Sequence, residues 1–196
     1  NLNDPWGILY GSGTTHYLLL YPVAYGSDGY AIRGVYSWTT DRDGAKENAE
    51  LFYPNTEGID VAEHELFFVS KRFKTMYVLN LDDLTYTNST TRSGLFDGQP
   101  DQLQRILGDD SNDLLYFTED GGRDPGIHCR NEVGQFFTLL ESPVYDDEST
   151  GLAFSPDGMH LYFALQETGL LYDVTRTDLL PFQAKSLNVK FHAVNG

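Results

Sequence analysis

Short apolar runs recur along the chain, each followed by a cluster of polar and turn-forming residues. Three stretches share one pattern: GIDVAEHELFFVS (58–70), RILGDDSNDLLYFTE (105–119) and GLAFSPDGMHLYFAL (151–165). Each reads as an apolar strand, a polar turn and a second apolar strand. Aligned on Phe67, Tyr116 and Tyr162, they are spaced 49 and 46 residues apart, within the period of a propeller blade. About one period earlier Leu19 stands in another apolar run, HYLLLYP. Third strands are predicted in TMYVLNL (75–81), GIHCRN (126–131) and GLLYDVT (169–175), and fourth strands in TYTNST (85–90) and QFFTLLE (135–141).

This periodicity predicts an all-β protein: a β-propeller of about four blades, each of four antiparallel strands. The units lie near 7–53, 54–97, 98–147 and 148–190 of a single domain. Four blades could close by themselves. The start at Asn1-Leu2-Asn3-Asp4-Pro5, without Met, instead reads as a fragment, with further blades or a partner chain completing a larger, six-bladed ring. An all-β sandwich is the alternative the pattern leaves open. The turns agree with short antiparallel connections: in SPDG (155–158) Pro presets φ and Gly accepts positive φ, while GDDSND (108–113) is a cruder version. No long helix is predicted; QPDQLQRIL (99–107) has only brief helical character.

Composition narrows the picture. With 13 Tyr, 12 Phe and 19 Gly in 196 residues, the chain favours strands and tight turns and is long enough for a sizeable core. The net charge of −16 argues against nucleic acid as a partner, because phosphate binding needs clustered Lys and Arg. It raises the local concentration of cations instead. One cysteine, Cys129, excludes an internal disulfide or a Cys-based zinc site, and reads as a buried small hydrophobe. No apolar run has the roughly 18–20 residues of a membrane-spanning helix. Asn88-Ser89-Thr90 is a glycosylation sequon, meaningful in a secreted protein.

Alternation of strands assigns the loops to faces. Loops entering an inner strand, and loops joining the second strand to the third, share one face of the disc. On that face lie Glu57 in YPNTEGIDV, Asp101 in DGQPDQLQ, Glu119 and Asp120 at the end of LLYFTEDGG, Glu148 in YDDESTGLAF, and Gln166 and Glu167. Carboxylates gathered near an axis repel unless a cation neutralises them, and oxygen-only ligands suit calcium. The competing reading for each is an ordinary solvated turn. Glu57 and Glu119 are favoured as ligands because each is close to a glycine that lets backbone approach an ion, with Asp120 solvated or in a supporting role.

Other chemistry is sparse. The five histidines lack a zinc spacing, and GSGTT (11–15) lacks the lysine of a phosphate loop. DRDG (41–44) is half of a calcium-loop pattern. There is no G-x-S-x-G elbow. Lys71, Arg72, Arg123 and Arg130 lie in or near the loops after the second strands and in the third strand. They would contact an anionic substrate or offset the acidic charge.

The order EG…LFF, QPDQ…LLYFTEDGG, STGLAFSPDG…LYFALQ, from Glu57 to Gln166, resembles the C-terminal part of PhoX-type alkaline phosphatase-like propellers. The resemblance implies a secreted phosphomonoesterase using calcium with iron near the axis. It implies Glu57, Glu119 and Glu148 as metal ligands, and matches Asp101 to an acidic residue of the family. The family's iron-binding cysteine has no counterpart here, since Cys129 stands elsewhere. Arg123 is the residue chosen to stabilise phosphoryl charge. GLAFSPDGMHLYFA is also similar to gluconolactonase- and paraoxonase-like calcium propellers, which implies lactone or ester hydrolysis. A third reading is a non-catalytic propeller with a structural calcium and a protein or glycan partner.

Overall fold

The computed structural model describes residues 10–92, 98–105, 114–121, 124–131, 134–141, 144, 146–182 and 190–192. Their strands form three antiparallel sheets, and each sheet begins with a short strand near the common axis. The first contains β3 (Thr56–Ala62), β4 (Glu65–Ser70), β5 (Thr75–Asn80) and β6 (Thr85–Thr90), extended outward by β2 (Ala31–Thr39) and β1 (Tyr17–Tyr25). The second runs β7 (Gln99–Gln104), β8 (Leu115–Asp120), β9 (Gly126–Arg130), β10 (Phe136–Glu141), with β14 (Lys190–His192) on its outer edge. The third has β11 (Ser149–Phe154), β12 (His160–Leu165) and β13 (Leu170–Thr175). Inner strand β3 packs beside β7, and β7 beside β11. This is the propeller-like arrangement that the repeat predicts.

The described part of the predicted first unit, 10–53, does not build a sheet of its own. Its hairpin is hydrogen-bonded to β6 through Arg33↔Thr87, Gly34↔Tyr86 and Val35↔Thr85, so its strands become outer strands of the first sheet. The apolar run around Leu19 has the right spacing but the wrong partner. The chain also contains a helix the pattern does not predict, α1 (Arg42–Phe52). DRDG is its start: Asp41 caps it, accepting from the Gly44 N–H at 3.2 Å. QPDQLQ is strand β7, and Asp101 lies inside it rather than before it. The GDDSND turn lies outside the described residues.

Cores form where sheets face each other. Phe67, Val69, Met76 and Val78 of the first sheet meet Leu103, Leu115, Phe117 and Phe136 of the second. Tyr116, Ile127 and Cys129 meet Leu152, Leu161, Phe163 and Leu165 of the third, with Phe182 added. Each of these large side chains contributes roughly 1.5–3 kcal/mol on burial. β8 is buried on both faces and therefore reads as a continuous apolar run. Burial pushes the Cys129 thiol up to about 12, which suits an inert core residue. The other face of the first sheet, with Phe68, Tyr77 and Tyr86, is covered by Leu20, Tyr36 and Tyr53. Tyrosine hydroxyls fasten this cover: Tyr53 donates to Leu18 C=O at 2.6 Å and Tyr36 to Asn80 C=O at 3.0 Å.

All three inner strands carry the same irregularity. Between Thr56 and Ile59, Pro100 and Leu103, and Thr150 and Ala153, two residues oppose one residue of the partner strand. Each is a β-bulge, which turns a side chain and sharpens the twist. Glu57, Asp101 and Gly151 are therefore equivalent positions. The shared bulge also shifts the alignment of the third unit: Leu161, not Tyr162, takes the place of Phe67 and Tyr116.

At Gly58 the first inner strand touches the second. A Cβ there would stand 2.4 Å from the Leu103 nitrogen and 2.5 Å from the Asp101 carbonyl oxygen. Gly58→Ala is expected to push β3 from β7 and lower stability by about 1–3 kcal/mol, measured as an earlier midpoint in urea unfolding; an unchanged midpoint would refute this packing.

Candidate functional site: a carboxylate–lysine cluster at the axial end

Ends of second strands and starts of inner strands meet on one face. Lys71 directly follows β4, and its N–H donates to Asn55 C=O at 2.9 Å. Asp101 is the first bulge residue of β7, Asp120 is the last residue of β8, and Glu148 immediately precedes β11. Gln166, just after β12, donates from Nε2 to Glu148 Oε2 at 3.1 Å.

These side chains form one charged cluster. The Lys71 ammonium is in contact with Asp120 and stands 4.0 Å from Asp101 Oδ2. Asp101 is 4% exposed. Glu148 shares hydrogen bonds with Asp101 and Asp120; burial, then those bonds and the Asp120 charge, push its carboxyl up to about 8. Its carboxyl is thus held well above the ordinary carboxylate range. Burial opposes the Lys71 charge, but Asp120, Asp101 and Glu148 outweigh it and raise its pKa. Three carboxyl groups thus gather around one ammonium.

Asp147 sets the position of Glu148. Its Oδ1 accepts from the N–H groups of Glu148 at 2.7 Å and Glu167 at 2.8 Å, and its Oδ2 from Thr168 N–H and Oγ1 at 2.9 and 2.7 Å. Burial raises its pKa, but these donors win and hold it down to about 2. The loop carrying Gln166 is thereby tied to the entry of β11.

The residues singled out from sequence divide into groups. Asp101, Asp120 and Glu148 are brought together. Glu57 occupies the bulge equivalent to Asp101, but its Oε1 accepts from Asn55 Nδ2 at 2.9 Å. Glu119 is buried and engaged within its own sheet. Its Oε1 accepts from Gly98 N–H at 2.6 Å, and its Oε2 lies 3.0 Å from His128 Nε2. His128 Nδ1 in turn meets Thr138 Oγ1 at 3.0 Å. The Glu119 backbone bonds Ser149 Oγ, which also donates to Gly126 C=O at 2.7 Å. This network joins β8, β9, β10 and β11. Arg123 lies outside the described residues. Arg130 stands at the far end of β9, on the opposite face.

The sequence places Lys71 after a second strand as a cation that would offset the acidic charge, and it does so here; its place at the centre of the cluster depends on strands from a neighbouring sheet. Asp147 was hidden beside Glu148, in a run of acids where only the fold separates the buried one. Among the described residues, no three His, Cys, Asp or Glu side chains are arranged to hold a metal ion as they stand. The Lys71 ammonium is the positive charge among Asp101, Asp120 and Glu148.

No family model matches the chain, and no curated protein matches it. Among solved structures, the chain is similar to virginiamycin B lyase from Staphylococcus aureus, with 15% identity and a TM-score of 0.43 over 79% of this chain. The chain spans 54% of that protein's length.

Glu119→Ala should cost about 1–3 kcal/mol for each buried group it leaves unpaired. The expected result is a lower thermal midpoint with the Lys71 cluster unchanged; a full-stability variant would show that the network is not structural. Glu148 gives a second expectation, in metal-free protein. Its folded pKa of about 8 lies above that of an unfolded glutamate. The stability it adds is therefore complete below the unfolded value and is lost as pH rises toward 8. Glu148→Gln should flatten that decline in denaturant titrations between about pH 5 and 8; parallel profiles for variant and wild type would count against the raised pKa.

Proposed function

We propose that this chain is a propeller-type domain that binds calcium at the axial end of its inner strands. Phosphate monoesters are the substrate class this reading assigns to it. One observation carries the reading: Asp101, Asp120 and Glu148 converge with a single ammonium between them. Such a group is short of positive charge, and hard oxygen donors favour calcium. The cluster does not fit the ion as it stands. Binding requires Lys71 to swing out and Glu148 to lose its proton, which makes affinity rise with pH. If an ion displaced it, Lys71 would stand as a cation beside the site, with the chemistry to receive a phosphoryl oxygen.

A second reading rests on the Lys71–Asp120 contact itself. There the ammonium is the permanent counter-ion and the cluster locks neighbouring sheets together. The domain is then a non-catalytic module for a protein or glycan.

Calorimetric titration with calcium separates the two. The first reading expects saturable binding, release of about one proton per ion near pH 7, weaker binding by Asp101→Asn, and tighter binding by Lys71→Met. Hydrolysis of p-nitrophenyl phosphate should then require calcium and stop on chelation. A lactone assay run alongside tests the gluconolactonase-like alternative. Binding without either turnover removes the hydrolase and keeps the calcium site. No binding at millimolar calcium removes both and leaves the lock.

A further inference from the structure

A second site lies on the opposite face, between the first and second sheets. A cavity of about 610 Å³ opens there, within the size range of small-molecule sites. The chain topology dictates its walls. The β3–β4 turn, the β5–β6 turn, the end of β7, the start of β8 and the end of β9 all reach this face. Its lining is mostly polar, with small exposed edges of the buried Phe67, Val78 and Leu115.

Two arginines line it. Arg105 follows β7; its backbone N–H donates to Asp60 Oδ2 at 2.6 Å, and its guanidinium carbon stands 5.9 Å from the Phe67 ring centre. Arg130 ends β9 and reaches across to the first sheet, where its Nε donates to Ser89 Oγ at 3.1 Å. Among the described residues Arg130 has no carboxylate within ion-pair distance. Burial pulls its pKa below the ordinary value and Glu65 pushes it back up; a guanidinium stays charged in either case. A partly buried charge held by a neutral hydroxyl is costly unless an anion joins it. The two remaining guanidinium nitrogens form the planar fork that suits a carboxylate or phosphate.

We propose that this cavity binds a small organic anion, with Arg130 and Arg105 receiving its carboxylate or phosphate. Acidic residues narrow the class further. Glu63 and Glu65 are exposed at the rim, and Asp82 is paired with His64 at 3.1 Å. Their charge opposes polyanions such as nucleic acids, which must pass several of them at once. The site is separate from the calcium reading, because it shares none of the cluster's residues.

Calorimetry on metal-free, full-length protein tests it, with benzoate and phenyl phosphate as probes for the two anion types. Saturable one-to-one binding of either probe is expected. Arg130→Met should weaken it about tenfold or more, the loss expected for a charge-assisted pair, and Arg130→Lys, which keeps the charge but not the fork, by a smaller factor. Lys46→Met, a charge removal on the exposed face of α1, should change nothing. Thermal melts confirm that each variant is folded; if Arg130→Met is not, Arg130→Lys carries the test. Failure of both probes to bind, or equal affinity in the folded Arg130 variants, overturns the proposal. Weakening by Lys71→Met alone would overturn it too, by moving the anion to the other face.

Discussion

The close approach of the inner strands governs the rest of this structure. β3 lies against β7 so tightly that Gly58 faces the backbone of Asp101 and Leu103 with no space for a methyl group. Sheets that meet along their inner edges fan apart outward, and large apolar side chains fill the widening gap. Phe67 and Met76 meet Phe117 and Phe136 in one gap, and Tyr116 and Ile127 meet Leu161 and Phe163 in the next. The same contact brings every inner-strand start, and every second-strand end, to a common place.

That geometry creates an electrostatic problem on one face, and the chain answers it in two ways. Glu119 is removed from the problem: hydrogen bonds from Gly98 and contact with His128 absorb its carboxylate inside the second sheet. Asp101, Asp120 and Glu148 stay together around the Lys71 ammonium, and burial with its acidic neighbours raises the Glu148 carboxyl. Two acids adjacent in sequence, Glu119 and Asp120, thus point to opposite sides of β8 and serve different ends. The alternation of a strand makes this unavoidable. On the other face Arg105 and Arg130 line a cavity together with Glu63, Glu65 and Asp82.

Alternating and continuous apolar runs made most strands legible. FFVS, MYVL, LYFTE, GIHC and HLYFAL coincide with β4, β5, β8, β9 and β12, because buried strands leave a clear imprint on composition. Helix α1 was not legible: Gly44 interrupts its first turn, and DRDG imitates an ion-binding loop while acting as a cap. QPDQLQ was obscured in the same way, since its polar residues face a bulge and the axis rather than solvent.

Strand alternation in the sequence assigns each loop end, and with it the face on which the acids lie. Asp101, Asp120 and Glu148 belong to the set so identified. Which of the acids meet was not readable. A bulge reorients Asp101, a neighbouring sheet supplies Lys71, and a buried Asp147 positions Glu148. The sequence by itself determined the strands, their repeat and the side of the disc that carries the charge, because these follow from local periodicity. Only the tertiary structure decided how 10–53 pairs, which carboxylate is buried as a lock and which remain in the cluster. Those outcomes depend on contacts between residues tens of positions apart, and such contacts leave no local pattern.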